Sequence, residues 1–237
     1  MKAVIMAAGV GTRISNKITG PKSTLEIMTP KGKMPLIRYT VERLVAKGID
    51  VAIVTGYMPG YIQNVLSGLP VTYYENPFYS VTNSMASLWF ARDWLDDEDT
   101  ILMNADVYWT DEIIDKLLES KYTITMLGDI SRIYEGDYFF KLSPMSTIEK
   151  YGKELTVPER STEYVGIALV KSAFIPVFKR HLDEMVNSGK YVLWWENVLY
   201  EYINLNPVYV MDVDGEFWAE IDYIEDYHRI VEFTSNK

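Results

Sequence analysis

Lys2-Ala3-Val4-Ile5-Met6-Ala7-Ala8-Gly9-Val10-Gly11-Thr12-Arg13, followed shortly by Pro21-Lys22, decides how the rest of this 237-residue chain reads. Residues 2–6 are an apolar run of strand length, and residues 7–13 follow with small side chains and two glycines that permit a tight backbone path. A strand therefore runs into a loop of phosphate size. Inward-pointing backbone N–H groups, with the cations of Arg13 and Lys22, suit a polyphosphate. A dinucleotide-binding loop would carry a third glycine where Ile14 stands, and a Walker loop would carry glycine directly before the lysine, where Pro21 stands. A plain glycine turn would call for neither Arg13 nor Lys22.

Outward from this loop the pattern alternates. Leu36, Ile37, Val41, Leu44 and Val45 recur at helical spacing and Gly48 stops them, which predicts a helix over 35–47. A strand follows at 50–55, a helix at 58–66, a strand at 71–74, a helix at 82–95 and a strand at 100–104. Four strands separated by helices predict right-handed βαβ units and an α/β fold with a mostly parallel sheet flanked by helices. After a helix at 111–120 the texture changes. Strands at 122–127, 138–142 and 163–170 have less helix between them, which predicts antiparallel strands mixed into the sheet. Helices at 172–188 and 193–203, a strand at 208–213 and a strand end at 217–222 lead to a closing helix at 223–233. No linker, repeat or low-complexity run divides these pieces, so residues 1–237 read as a single domain with a small substrate-binding lobe in the C-terminal half.

Composition excludes several classes. The formal net charge is -10, which opposes the phosphate neutralisation that nucleic-acid binding requires. No run of 18 apolar residues is present, and the N-terminus enters a strand at once rather than a signal segment, so a cytoplasmic protein without membrane insertion is expected. There are no cysteines and only two histidines, so any metal site is expected to use carboxylates and a hard ion. The 18 tyrosines and 6 tryptophans can line a homodimer interface as readily as a core.

The loop closely resembles that of sugar-phosphate and choline-phosphate nucleotidyltransferases, in which A-A-G-x-G-x-R precedes a P-K pair. The resemblance implies a Rossmann-like fold of the glycosyltransferase-A type, with a nucleotide-binding half at about 1–120 and an acceptor-binding half at about 121–237. It implies that Ala7, Ala8, Gly9, Gly11 and Thr12 wrap the triphosphate, that Arg13 meets its outer phosphates, and that Lys22 lies beside the α-phosphate under attack. Asn104-Ala105-Asp106 resembles the family's metal-binding aspartate position, where aspartate or glycine more often stands at the place of Asn104, and Glu220-Ile221-Asp222 resembles the second. Asp106 and Asp222 are thus expected to hold Mg²⁺ at the carboxyl ends of strands, where open α/β sheets bind ligands.

Two further stretches bear on the substrates. Residues 76–88 resemble the N-P-x-Y-x-x-T-N-x-x-x-S-L element of cytidylyltransferases that make CDP-linked head groups for bacterial surfaces, which implies CTP as donor and Asn83, Ser84 and Ser87 at the nucleotide. Read without the resemblance, the same polar residues open a helix, and Thr82 is its expected N-cap. Leu193-Trp194-Trp195-Glu196-Asn197 resembles the family's L-Y-W-D-N element, and Asp137-Tyr138-Phe139 resembles one that carries tryptophan at the place of Tyr138. Tyr138, Trp194, Trp195 and Glu196 are expected to hold a cationic head group, each cation–π contact contributing about 0.5 to 2 kcal/mol. One of the two adjacent tryptophans is expected in the core. Phosphocholine, phosphoethanolamine, 2-aminoethylphosphonate and an amino-acid-derived amide phosphate all remain open as acceptor. A sugar-1-phosphate uridylyl- or thymidylyltransferase, or a non-catalytic nucleotide-binding homologue, would share the loop and the aspartates.

Overall fold

A computed structural model describes residues 1–14 and 17–236. The chain opens with β1 (Lys2–Ala7), then the loop and a single 3-10 turn at Lys22–Thr24, then the hairpin of β2 (Glu26–Thr29) and β3 (Gly32–Pro35). Next come α1 (Leu36–Ala46), β4 (Asp50–Thr55), α2 (Pro59–Val65), β5 (Val71–Glu75), α3 (Ser84–Phe90), β6 (Thr100–Asn104), β7 (Val107–Trp109) and α4 (Asp111–Leu118). The second half contains β8 (Ile124–Asp129), β9 (Phe139–Leu142), β10 (Ile148–Gly152), β11 (Thr162–Val170), α5 (Ile175–Asn187), α6 (Asn197–Tyr200), β12 (Tyr209–Asp212), β13 (Trp218–Glu220) and α7 (Ile224–Ser235).

One nine-stranded sheet runs through both halves in the order β10-β9-β11-β6-β1-β4-β5, with β8 beside β11 and β12 beside β8. β1 pairs in parallel with β4 and β6, and β4 pairs in parallel with β5. β11 joins β6 antiparallel, which makes the sheet mixed. β1 sits at its centre, and its alternation explains the layering. Val4 and Met6 enter a core with Leu88 of α3, Phe178 and Leu182 of α5 and Leu199 of α6. Ala3, Ile5 and Ala7 enter a core on the other face with Val41 of α1, Ile62 of α2 and Ile114 of α4. Both faces of a central parallel strand are covered, so its sequence reads as an unbroken apolar run.

Several short elements depart from the sequence expectation. The β2–β3 hairpin, β7 and β10 are three to five residues long, too short for a periodicity to register, whereas the strand end expected at 217–222 is β13. The helix expected over 82–95 is α3 followed by a 3-10 turn at Arg92–Trp94. The helix expected over 193–203 shrinks to the four residues of α6. Its first part is extended instead, because the Tyr191 and Leu193 carbonyls accept from the Asn83 and Met85 N–H groups at 3.1 and 3.2 Å. Long-range partners for the first turn of α3 here outcompete local helix bonds. Ile14, the residue that broke the dinucleotide pattern, is buried in a third, smaller core between the hairpin and α7, with Ile27, Leu36, Ile221 and Ile230.

Candidate active site

The loop leaves β1 and is pinned from the side. Gly56, just beyond β4, has no room for a side chain: a Cβ there would stand 2.7 Å from Tyr79 Cβ and 3.0 Å from Ala8 Cβ. This close approach lets the Tyr57 N–H donate to the Ala8 carbonyl at 3.1 Å. Gly11 takes φ +66°, the left-handed region that glycine enters without steric cost, and the Lys22 stem packs 3.4 Å from where its Cβ would be. Ala7, Ala8, Gly9, Arg13 and Lys22 line a single cavity, while Gly11 is half-buried and Thr12 exposed beside it. Gly11 thus gives the lysine stem its seat.

Two aspartates far apart in sequence meet at that lysine. β13 pairs antiparallel with β7, setting Glu220 opposite Val107, and the Ile221 N–H donates to the Asp106 carbonyl at 3.0 Å. Asp106 and Asp222 consequently flank one point. Lys22 Nζ is ion-paired to Asp106 and donates to Asp222 Oδ1 at 3.2 Å. Burial disfavours the charged lysine, but Asp106, then Asp222 and Glu220, outweigh it, and the ammonium is held well above its ordinary value. Arg13 bridges Asp222 Oδ2 at 2.6 Å and Asp137 Oδ2 at 3.0 Å. Asp226, at the start of α7, accepts from the Asp222 and Tyr223 N–H groups at 3.1 and 2.8 Å and fixes the strand end.

Asp137, Lys153, Tyr164, Tyr200 and Glu220 also line the cavity, and sequence reasoning assigned a role to none of them. Burial, then repulsion from Asp106, pushes the Glu220 carboxyl well up. Its partner is Asn104 Nδ2 at 3.1 Å, and the same amide accepts from Trp195 Nε1 at 2.9 Å on its oxygen. Lys153 Nζ donates to Asp137 Oδ2 at 3.0 Å. A glutamate and a tyrosine inside runs expected to be buried strand were the available signals for Glu220 and Tyr164. Nothing local marks Lys153.

Five carboxylates, Asp106, Asp137, Glu196, Glu220 and Asp222, face three cations, Arg13, Lys22 and Lys153. A triphosphate adds more negative charge, so the cavity as built calls for additional cations. Asp106 and Asp222 offer a pair of hard oxygen donors at its foot, the chemistry Mg²⁺ prefers. Among the described residues, no three carboxylates or histidines form a closed cage. Two aspartates with phosphate and water oxygens completing the shell is the usual arrangement for that ion.

At the opposite wall the residues from 76–88 hold one another. Buried Asn76 donates from Nδ2 to Thr82 Oγ1 and to Ser87 Oγ, both at 3.0 Å, and its Oδ1 accepts from the Phe78 N–H at 2.9 Å. The N-cap of α3 is Asn83, whose Oδ1 accepts from the Ser84 N–H at 2.8 Å; the hydroxyl of Thr82, expected in that place, is turned back to the Phe78 carbonyl. Ser84 Oγ accepts from the Trp195 N–H at 3.0 Å. Thr82, Asn83, Ser84 and Ser87 all line the cavity.

The two tryptophans separate as the core expectation required. Trp195 is fully buried and does not reach the cavity, which corrects its expected part in head-group binding. Its ring packs under the site and its N–H is spent on Asn104, as a buried indole N–H usually finds a partner. Trp194 remains 41% exposed and meets the Tyr138 ring edge-on at 5.7 Å. Glu196 lies at the floor beside them, and burial pushes its carboxyl up to about 7 against hydrogen bonds that favour the charged form.

Comparison with known proteins agrees with this architecture. Residues 3–131 match the family model of the MobA-like NTP transferase domain. The chain is 27% identical over 245 residues to the choline-phosphate cytidylyltransferase of Streptococcus pneumoniae (strain ATCC BAA-255 / R6), covering 100% of both chains. It is 26% identical over 226 residues to the 2-aminoethylphosphonate cytidylyltransferase of Lancefieldella rimae, covering 94% of this chain and 88% of the relative. In fold it resembles the solved CTP:phosphocholine cytidylyltransferase of Streptococcus pneumoniae, with a TM-score of 0.77 at 23% identity over 98% of each chain. The inositol-1-phosphate CTP transferase of T. maritima gives a TM-score of 0.75 at 19% identity, over 99% of this chain and 94% of that one. Among the described residues no helix is long and apolar enough to cross a membrane. With its loop, its paired aspartates and more than half its length within one family model, the chain belongs to the MobA-like NTP transferase domain family and is a nucleotidyltransferase.

Proposed function

We propose that this chain joins CTP to a small, amine-bearing phosphate or phosphonate ester, releasing pyrophosphate. The observation that carries the reading is one continuous cavity that holds Lys22 between two aspartates and, beside them, Glu196 among aromatic rings. An acceptor phosphate oxygen forms a bond to the α-phosphorus as the bond to the bridging α–β oxygen breaks, and pyrophosphate leaves with that electron pair. A phosphate ester gives a CDP-linked product, and a phosphonate a CMP-linked one. The attacking oxygen is already anionic, so no general base is required. Alignment and charge neutralisation carry the rate.

The residues divide the work. Lys22 presents its ammonium to the reacting phosphate, while Arg13 exchanges a carboxylate partner for phosphate oxygens as the triphosphate arrives. The loop amides of Ala8 and Gly9 hold the outer phosphates, and Asn83, Ser84 and Ser87 border the nucleoside. Lys153 sits between the phosphate end and the head-group end, where it can hold the acceptor's phosphate. Asp106 and Asp222 would hold Mg²⁺, which supplies electrostatic stabilisation of charge developing on the phosphates. A reaction drawing on CTP is placed in the cytoplasm, where nucleoside triphosphates are maintained, and its product suits cell-surface polymer assembly.

The test is pyrophosphate release from a matrix of CTP, UTP, dTTP and ATP against phosphorylated head groups and sugar 1-phosphates. Preference for CTP with an amine-bearing acceptor is the expected result. Preference for UTP or dTTP with a sugar 1-phosphate would sink the reading.

A further inference from the structure

We propose that the head-group part of the cavity is built for a primary ammonium, with the Glu196 carboxylate, held by Tyr164, as its hydrogen-bond acceptor and counter-ion. The inference rests on the cytidylyltransferase reading above and narrows its acceptor. A quaternary ammonium needs open aromatic faces and no acceptor at all, whereas a primary ammonium carries three N–H donors and needs oxygens around it.

The rings here are largely engaged with one another. Tyr138 and Tyr200 stack at 5.7 Å with their planes 8° apart, and Tyr151 stacks on Tyr200 at 4.3 Å. Trp194 meets Tyr138 by an edge contact and already has the Lys153 ammonium over its ring, 5.3 Å from the centroid. The Tyr200 ring is thereby closed to a trimethylammonium, and one face each of Tyr138 and Trp194 is already taken.

An oxygen acceptor without a counter-ion, by contrast, is present. Tyr164 stands in β11, whose register shifts between Tyr164 and Ala168 around Gly166 at φ +84°. Tyr164 lines the cavity beside Glu196, and its buried hydroxyl, directed at that carboxyl, favours the charged form. Glu196 is 6% exposed, and no lysine or arginine is ion-paired with it among the described residues. A buried carboxylate without a counter-ion costs free energy. One ammonium supplies that counter-ion. Each methyl group placed on nitrogen removes a donor from that arrangement and adds bulk to it.

The experiment is a steady-state series with saturating CTP and four acceptors, from 2-aminoethyl phosphate through its N-methyl and N,N-dimethyl forms to phosphocholine. The expected result is a kcat/KM that falls with each methyl, by about tenfold or more across the series. In Tyr164→Phe the ratio between the first and last members should shrink. A flat or rising series in the unmodified protein overturns this inference and leaves cytidylyl transfer standing. Release from sugar 1-phosphates alone overturns the cytidylyltransferase reading instead. In that event calorimetric binding of the same four amines still decides the pocket: tighter binding of the primary amine supports the inference, and equal or reversed order refutes it.

Discussion

Lys22 Nζ donates to Asp222 Oδ1 at 3.2 Å across 200 residues of sequence, and the same ammonium is ion-paired with Asp106. One side chain thus holds together two carboxylates that would otherwise repel. Lys22→Ala is expected to lower kcat by about 10²- to 10³-fold, the usual loss when one stabilising group is removed from charge developing in a transition state. It should also lower the melting temperature, because Asp106, Asp222 and Glu220 lose their shared cation. Addition of Mg²⁺ should restore part of that loss in a thermal-shift assay. Near-normal turnover would remove the catalytic role assigned to Lys22.

Glu196 gives the site a pH dependence. Burial raises its carboxyl from 4.5 to about 7, so below that pH the floor of the pocket is mostly neutral. An ammonium needs the ionised form. KM for an amine-bearing acceptor should therefore fall as pH rises from about 6 to about 8, and Glu196→Gln should flatten the profile. The stability effect runs the other way. A carboxyl whose folded value is raised holds its proton more tightly than the unfolded chain does, so its contribution declines as pH climbs from 4.5 through about 7. Chemical denaturation of the ligand-free protein at several pH values measures this.

Trp195→Phe keeps the buried ring and removes one N–H. Asn104 Oδ1 then loses its donor, which is expected to cost about 1 to 3 kcal/mol in a urea titration. The amide of Asn104 is also what meets Glu220, so kcat should drop while the acceptor KM changes less. A fall in KM performance alone, with kcat intact, would place Trp195 in the head-group pocket after all.

Gly56→Ala inserts a methyl group 2.7 Å from Tyr79 Cβ and 3.0 Å from Ala8 Cβ. Neither neighbour is the far end of a flexible side chain, so the backbone must shift, at about 1 to 3 kcal/mol. Because Ala8 lies in the phosphate loop, nucleotide affinity should weaken along with the melting temperature. Unchanged CTP binding would mean that the loop adjusts independently of β4.

The sequence alone carried the elements with a strong period and the groups with local chemistry. The buried run of β1, the amphipathic α1 with Leu36, Ile37, Val41 and Leu44 inward, and the alternation through β6 were all legible, since apolar spacing reports burial directly. Arg13 and Lys22 were legible because their loop is short. The convergence of Asp106 with Asp222 was legible only through the family resemblance, because it depends on a three-residue strand pairing, β7 with β13, that no local pattern announces. Nor could the sequence choose between Trp194 and Trp195. That choice fell to hydrogen bonds from Asn83, Met85 and Trp195 to partners across the start of α3, which unwound the expected helix and turned one indole to Asn104 and the other to the cavity. Long-range backbone bonds formed only in the packed chain decided which aromatic ring, and which carboxylate, the substrate meets.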